Sequence, residues 1–227
     1  MQTAGGLEVG VPNLAVDVEK NVSVPLTLTW SGLSVVTEAE AERKCCGLLQ
    51  GKRGEARSLL DSVTGLARQG EVLAIMGPSG SGKTTLLNSL LFTHGDRLTV
   101  SGSRLVNGEE VSPASLTSVS AYVQQEDLFI PSLTVREHLV FQAKLRQREE
   151  RVEAVMQQVG LVKVADVLIG NEKLKGISGG EKKRLSFASE FLTNPTILFC
   201  DEPTSGLDSF MATSIMELQS RLTYIFV

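Results

Sequence analysis

The sequence predicts an α/β fold of the phosphate-loop type, with a mixed sheet, an N-terminal antiparallel β region and an inserted helical subdomain. Three observations carry that expectation. The apolar run Glu71-Val72-Leu73-Ala74-Ile75-Met76 is of buried-strand type and leads directly into Gly77-Pro78-Ser79-Gly80-Ser81-Gly82-Lys83-Thr84. The segment Thr85-Leu86-Leu87-Asn88-Ser89-Leu90-Leu91 then spaces its apolar residues for a helix face, so strand, glycine loop and helix follow in the required order. Finally, alternating strand-like segments crowd the first half of the chain, whereas helical patterning takes over after Gln125.

Taken in order, residues 1–24 mix scattered Gly and Pro with no clear period and read as a flexible extension. Leu26-Thr27-Leu28-Thr29-Trp30 alternates apolar and polar, and Leu33-Ser34-Val35-Val36 continues in strand composition. The charged stretch from Thr37 to Arg57 reads as a surface loop between two edge strands, and Ser58 to Leu66 resumes as a strand. The segment from Leu98 to Gly108 is a strand ending in Asn107-Gly108, a hairpin signal. Val119-Ser120-Ala121-Tyr122-Val123 is another strand and runs into Gln124 and Gln125. Thr134 and Glu137 make a capping box that opens a helix, and Arg148 to Gln158 is a second helix with Val152, Val155, Met156 and Val159 on one stripe. Ile197-Leu198-Phe199-Cys200 is an apolar strand ending in Asp201-Glu202.

Composition narrows the class. A chain of 227 residues suggests one large domain or a domain with a subdomain. A net charge of -4 does not favour a nucleic-acid surface. No apolar run is long enough for a bilayer, and no basic-then-apolar leader opens the chain. The three cysteines make no disulfide framework, which suits a reducing setting. Adjacent Cys45 and Cys46 read as idle loop thiols, with lipidation as the alternative.

The residue types in the glycine loop follow from its chemistry. Main-chain N–H groups must wrap phosphate oxygens, so glycines replace bulky side chains. Lys83 adds a point charge near the outer phosphates, Thr84 offers a hydroxyl to Mg²⁺, and the following helix directs its positive end at the anion. At the end of the later apolar strand, Asp201 would hold the metal and Glu202 would polarise a water for attack on the terminal phosphate. In phosphate-loop proteins that strand lies beside the loop. Between them, Ile177-Ser178-Gly179-Gly180-Glu181 opens a helix and forms either a plain N-cap or a second anion site with free N–H groups. One chain has little use for two such sites on one triphosphate, so joint use implies two facing protomers.

These residues resemble the nucleotide-binding domain of ATP-binding cassette transporters, an ABC-type ATPase core. Four elements match in order: the phosphate loop, a glutamine loop at Gln125, the signature Ile177 to Glu181, and Asp201-Glu202 followed by Pro203-Thr204-Ser205-Gly206-Leu207-Asp208. The segments Tyr122 to Phe129, Leu133 to Leu139 and Cys200 to Phe210 are similar to subfamily G, White-type half-transporters. The resemblance implies that Gly77, Pro78, Ser79, Gly80, Ser81, Gly82, Lys83, Thr84 and Thr85 hold the ATP phosphates. It implies Mg²⁺ at Thr84, Gln125 and Asp201, with Glu202 as general base assisted by Gln125 and Lys83. Ser178, Gly179, Gly180 and Glu181 would clamp ATP held by a second half-transporter, and Asp208 would cross the dimer seam. Helices near Gln125 to Glu137 would pass the motion to membrane helices.

The corresponding division is 1–24 extension, 25–125 β region and phosphate-loop core, 126–190 helical subdomain with the signature, and 191–227 the remainder of the core. Two departures stand out. No Phe, Tyr or Trp lies between Trp30 and Phe92 to stack on adenine, which leaves either Trp30 or an aliphatic such as Val35 for that role, or loose contacts to the base. The family's switch histidine has no counterpart either: His94 and His138 lie upstream and are expected on the surface or in packing. With the membrane half also absent, the chain looks like a fragment, a truncated isoform or an incomplete gene model. The resemblance implies an ATPase that powers transport of a small molecule and sits at the cytoplasmic face of a membrane, without nucleic acid. By itself the chain would be soluble and cytosolic. The alternative is a nucleotide-binding module with weak or no hydrolysis, acting as a non-productive dimer partner. The soluble cassette ATPases of DNA repair or translation are a third class.

Overall fold

A computed structural model describes residues 25–38, 56–125, 128–202 and 223–226. Two four-stranded sheets organise it. The first has the order β2-β1-β4-β5, built from β1 (Thr27–Thr37), β2 (Ser58–Arg68), β4 (Leu98–Val106) and β5 (Glu109–Glu110), with every pairing antiparallel. The alternation in β1 is what pins it: Leu28, Trp30, Leu33 and Val35 are all buried, and a one-residue slip would expose them. Gly65 opposes Trp30 across the β1–β2 pair because the indole occupies its side-chain space; an added Cβ would lie 2.2 Å from Trp30 Cζ2. Asn107 and Gly108, at φ 53° and 85°, close the expected β4–β5 hairpin with both central residues left-handed.

The second sheet is parallel, in the order β3-β8-β7-β6: β3 (Val72–Ala74), β8 (Thr223–Phe226), β7 (Ile197–Cys200) and β6 (Ser120–Val123). It separates two hydrophobic cores. On one side Ile197, Phe199 and Ile225 pack with Leu28, Trp30 and Leu33 of the antiparallel sheet and with Leu86, Leu87 and Leu90 of α1 (Lys83–Leu90). On the other, Leu198, Cys200, Ala121 and Val123 pack with α3 (Val135–Arg146), α4 (Val152–Gln158) and α5 (Gly179–Phe191). Consecutive β7 residues therefore serve opposite cores, which is why the strand reads as a continuous apolar run.

The helical side follows its sequence signals. Thr134 caps α3 in a capping box with Glu137, and the α4 stripe of Val152, Val155, Met156 and Val159 is buried. Phe187 and Phe191 of α5 are fully buried with ring centroids 6.1 Å apart. Each large apolar side chain so buried contributes about 1.5–3 kcal/mol.

Three features depart from the expectations. The strand before the glycine loop is an edge of the parallel sheet among the described residues, so Val72 is 48% exposed rather than buried on both faces. Strand β8 lies between β3 and β7, so the strand bearing Asp201 is one strand removed from the loop strand rather than beside it. A short helix, α2 (Pro113–Val119), precedes β6, with Ser112 as its cap and Pro113 at its first position.

Candidate functional site

Because the second sheet is parallel, β3, β6 and β7 end on the same edge, and each delivers a motif there: the glycine loop, Gln124-Gln125, and Asp201-Glu202. That edge is where ligands sit in parallel α/β sheets.

The glycine loop suits an anion. Gly77, Pro78, Ser79, Gly80 and Ser81 are exposed. Gly80 and Gly82 have φ of 80° and 89°, a conformation other residues adopt only under strain. A Cβ on Gly82 would lie 2.9 Å from Leu60 Cδ2. Gly82 is also the N-cap of α1 and offers no side-chain acceptor, and no acidic residue lies in the first turn. Helices α2, α3 and α5, by contrast, cap themselves with Ser112, Thr134 and Ser178. The phosphate-loop helix has neither a side-chain cap nor an acidic residue in its first turn, whereas α4, also without a side-chain cap, carries Glu153 there. An uncapped, uncompensated first turn is the condition for main-chain N–H groups to meet a ligand. The Lys83 ammonium folds back over the loop and donates to Gly77 O (3.1 Å) and Pro78 O (3.2 Å). Thr84 is exposed at the helix start, and Thr85 turns its carbonyl to Ser89 Oγ at 2.7 Å.

Opposite this loop, the Gln125 amide donates to Glu202 Oε2 at 2.8 Å. Glu202 is exposed and has φ 48°, left-handed for a non-glycine residue. Asp201 is buried, and its N–H donates to Val123 O at 3.1 Å, extending the β6–β7 pairing by one residue. Asn88, Thr93, Tyr122, Gln124, Gln125 and Asp201 line a cavity of about 430 Å³. Burial, and then the Asp201 carboxylate facing it, push the Tyr122 phenol up to about 12. The cavity's hydroxyls, amide carbonyls and one carboxylate offer oxygen atoms, the ligand type that suits Mg²⁺ together with water and phosphate.

The signature turn is self-capped. Ser178 Oγ accepts from Glu181 N at 3.3 Å, while Glu181 Oε2 accepts from Ser178 N and from Ser178 Oγ, each at 2.8 Å. These bonds hold the Glu181 carboxyl below its ordinary range. The expectation of an open anion site is thus narrowed to the N–H groups of Gly179 and Gly180. A Cβ on Gly179 would meet nothing within 4 Å, so the turn faces open space. Helix α5 lies across the parallel sheet from α1 and the glycine loop, so the two motifs belong to opposite faces of one chain.

Gln125, Asp201, Glu202 and the glycine loop are thus gathered on one edge, and the signature is set apart. Asp208 and the loop Pro203 to Asp208 lie outside the described residues, as do residues 1–24, Glu126, Asp127, Cys45 and Cys46. Neither candidate for base stacking is available: Trp30 is 3% exposed and Val35 is fully buried, both serving the core instead. His138 is buried and packs edge-on to Phe129, with 5.1 Å between ring centroids.

Two residues escaped the sequence reading. Tyr122 reads as an ordinary strand aromatic but lines the cavity beside Asp201. Lys183 is buried and donates to Gln124 O (3.0 Å) and Gln125 O (3.2 Å). Its signal is periodic: it shares the i, i+4, i+8 stripe of Phe187 and Phe191, where a lysine is out of place.

The ABC transporter family model matches residues 60–205. Protein white of Drosophila melanogaster is 51% identical over 178 residues, covering 74% of this chain and 26% of that protein. The ABC transporter ATP-binding protein/permease wht-1 of Caenorhabditis elegans is 46% identical over 202 residues, covering 84% and 30%. ABC transporter G family member 7 of Arabidopsis thaliana is 44% identical over 208 residues, covering 87% and 27%. The chain therefore spans between a quarter and a third of the length of these relatives. Among solved structures, that of a bacterial Atm1-family ABC exporter with ATP bound superposes with a TM-score of 0.66 at 23% identity, over 91% of this chain and 35% of that one, which shows the fold. With the family model matching residues 60–205 and relatives 44–51% identical over most of its length, the chain belongs to the ABC transporter family.

Proposed function

We propose that the chain is the ATP-binding and ATP-hydrolysing part of a subfamily G, White-type half-transporter, which drives movement of a small molecule across a membrane. The observation that supports this most is the single sheet edge holding an uncapped glycine-loop helix, a Gln125–Glu202 hydrogen bond and a buried Asp201. Residues 25–125 form the β region and phosphate-loop core, 126–190 a helical subdomain with the signature, and 191–227 the rest of the core.

In this reading Gly77 to Thr85 hold the phosphates, and the Lys83 ammonium exchanges its two loop carbonyls for phosphate oxygens. Thr84, Gln125 and Asp201 would hold Mg²⁺, whose contribution when bound is to neutralise charge on the transferred phosphoryl group. Glu202 accepts a proton from the attacking water as its oxygen bonds to the γ-phosphorus, and the bond to the ADP oxygen breaks. The Gln125 amide fixes the direction of that carboxylate. Ser178, Gly179, Gly180 and Glu181 close over ATP carried by a second half-transporter, and Asp208 lies at the seam. Because the signature and the glycine loop belong to opposite sheet faces, two chains are needed to sandwich one nucleotide. No helix among the described residues is long and apolar enough to cross a membrane. Membrane attachment on the cytoplasmic side therefore falls to segments outside them.

The deciding experiment pairs Glu202→Gln with Lys83→Met. Calorimetry should show MgATP bound by wild type and Glu202→Gln, and lost in Lys83→Met. Hydrolysis should fall about 10²–10⁴-fold in Glu202→Gln. Unaltered turnover there would remove Glu202 as the base, and no binding by folded wild type would remove the reading altogether.

A further inference from the structure

We infer that Lys183 is a positioning residue for the glutamine loop, tying the signature helix to the carboxylate that activates water. The inference rests on the nucleotide reading of the site.

Lys183 lies on α5, five residues past the Ser178 cap, and only 4% of it is exposed. Its helical stripe is otherwise apolar, continuing through Phe187 and Phe191. Packing alone would be served by leucine or methionine there. A buried ammonium loses its hydration and is tolerated only where strong acceptors replace it. Two consecutive main-chain carbonyls, Gln124 O and Gln125 O, accept from it at 3.0 and 3.2 Å. The same Gln125 donates from its side chain to Glu202 Oε2 at 2.8 Å.

One side chain thus joins the helix that begins at Ser178 to the main chain of Gln125, and Gln125 joins it to Glu202. Gln124 and Gln125 are themselves exposed and follow the last residue of β6, so the strand ladder does not hold them. Lys183 supplies from helix α5 the anchor that the sheet does not. A displacement of the signature helix would be carried to the Gln125 amide through two hydrogen bonds. That gives the glutamine loop a direct report of whether the signature turn is engaged.

The test uses the whole chain with Lys183→Met, Lys183→Arg and, as a packing control, Leu185→Ala, which empties a fully buried α5 position. Hydrogen exchange without nucleotide should rise about tenfold or more across 121–129 in Lys183→Met, as for loss of a charge-assisted anchor. Lys183→Arg, which keeps two donors, should stay near wild type. Leu185→Ala should loosen α5 without singling out that segment. ATP affinity with and without Mg²⁺ supplies the second readout. Lys183→Met should lose about 10–100-fold of the Mg²⁺-dependent part, the range for losing a partner that orients a metal ligand, and Leu185→Ala should keep it. Lys183→Gln carries the same comparison where Lys183→Met does not fold. Unchanged exchange at 121–129 overturns the anchor. Loosened exchange with an unaltered Mg²⁺ dependence, or an arginine variant indistinguishable from methionine, overturns the positioning role. Absence of Mg²⁺-dependent ATP binding in wild type overturns the nucleotide reading and the role with it, while the exchange result still reports on the anchor.

Discussion

His138 gives this protein an acid-sensitive clasp whose size follows from its surroundings. It lies on α3 among buried groups, its Nε2 3.1 Å from Ser189 Oγ on α5. Ser189 already commits its proton to Leu185 O at 3.0 Å, so its oxygen accepts and His138 donates from Nε2. Burial, reinforced by the Arg146 cation, lowers the imidazole from 6.5 to about 4. The sign follows directly: on acidification the unfolded chain takes up this proton near its ordinary value and the folded chain does not. Folding stability is therefore intact above about pH 6.5 and is lost as the pH falls toward about 4. From about pH 7.5 to about pH 5 the unfolded state gains about 2 kcal/mol by this one proton. Glu190, raised by burial, acts in the opposite sense over this range. Glu137 and Glu181, lowered by their capping bonds, act chiefly at more acid pH. These groups are common to wild type and His138→Gln, so their difference isolates the histidine. Urea denaturation of both proteins at the two pH values should show wild type losing about 2 kcal/mol more than the variant. Parallel losses, within about 0.5 kcal/mol, would show that the imidazole is not held neutral.

Other perturbations address the remaining parts of the architecture. Gly65→Ala drives a methyl against Trp30 and should cost about 1–3 kcal/mol; as the chain has one tryptophan, its fluorescence reports the displacement directly. An unshifted spectrum and melting temperature would show that the β1–β2 contact yields. Ser178→Ala removes the acceptor for Glu181 N and should lower stability by about 1 kcal/mol in thermal denaturation; no loss would mean that the cap is idle in solution. For the two-chain sandwich, Glu202→Gln with MgATP should sediment as a dimer and revert to monomer without nucleotide. A mass that does not respond to nucleotide would refute it.

Much of this was legible because local chemistry and tertiary role agree. The capping box at Thr134 and Glu137, the Asn107-Gly108 turn and the α4 stripe are short-range signals, and the structure realises each of them. Failures came where tertiary pairing decides. Val72 has the composition of a doubly covered strand, but its exposure depends on which strands flank β3, and no local pattern encodes that. Strand β8 offered only Tyr224-Ile225-Phe226 to recognise, too short for a period, and it gains its place from parallel pairing on both sides. Trp30 suggests itself for base stacking because no other aromatic precedes Phe92 after it, whereas the alternation of β1 assigns it to the core. Helix α2 carried a clear start signal, Ser112 before Pro113, but its length of 7 residues gives too few turns for a stripe.

The same alternation that hid β7 as a uniform apolar run is what makes the site possible. A strand with one wet face could not carry a helix on each side. By giving Ile197 and Phe199 to one core and Leu198 and Cys200 to the other, β7 lets α1 and α5 be held independently of each other. Its own end, Asp201 and Glu202, then emerges where the two halves meet. At the sheet edge, polar bonds tie the signature helix to the ends of β6 and β7: Lys183 to the glutamine-loop carbonyls, and Gln125 to Glu202. Apolar cores resist sliding because their packing is dense, whereas hydrogen bonds at an exposed edge can be exchanged for others at small net cost. Motion between the phosphate-loop half and the signature half is therefore expected to be read first at Gln125 and Glu202, the two residues whose rearrangement disturbs neither core.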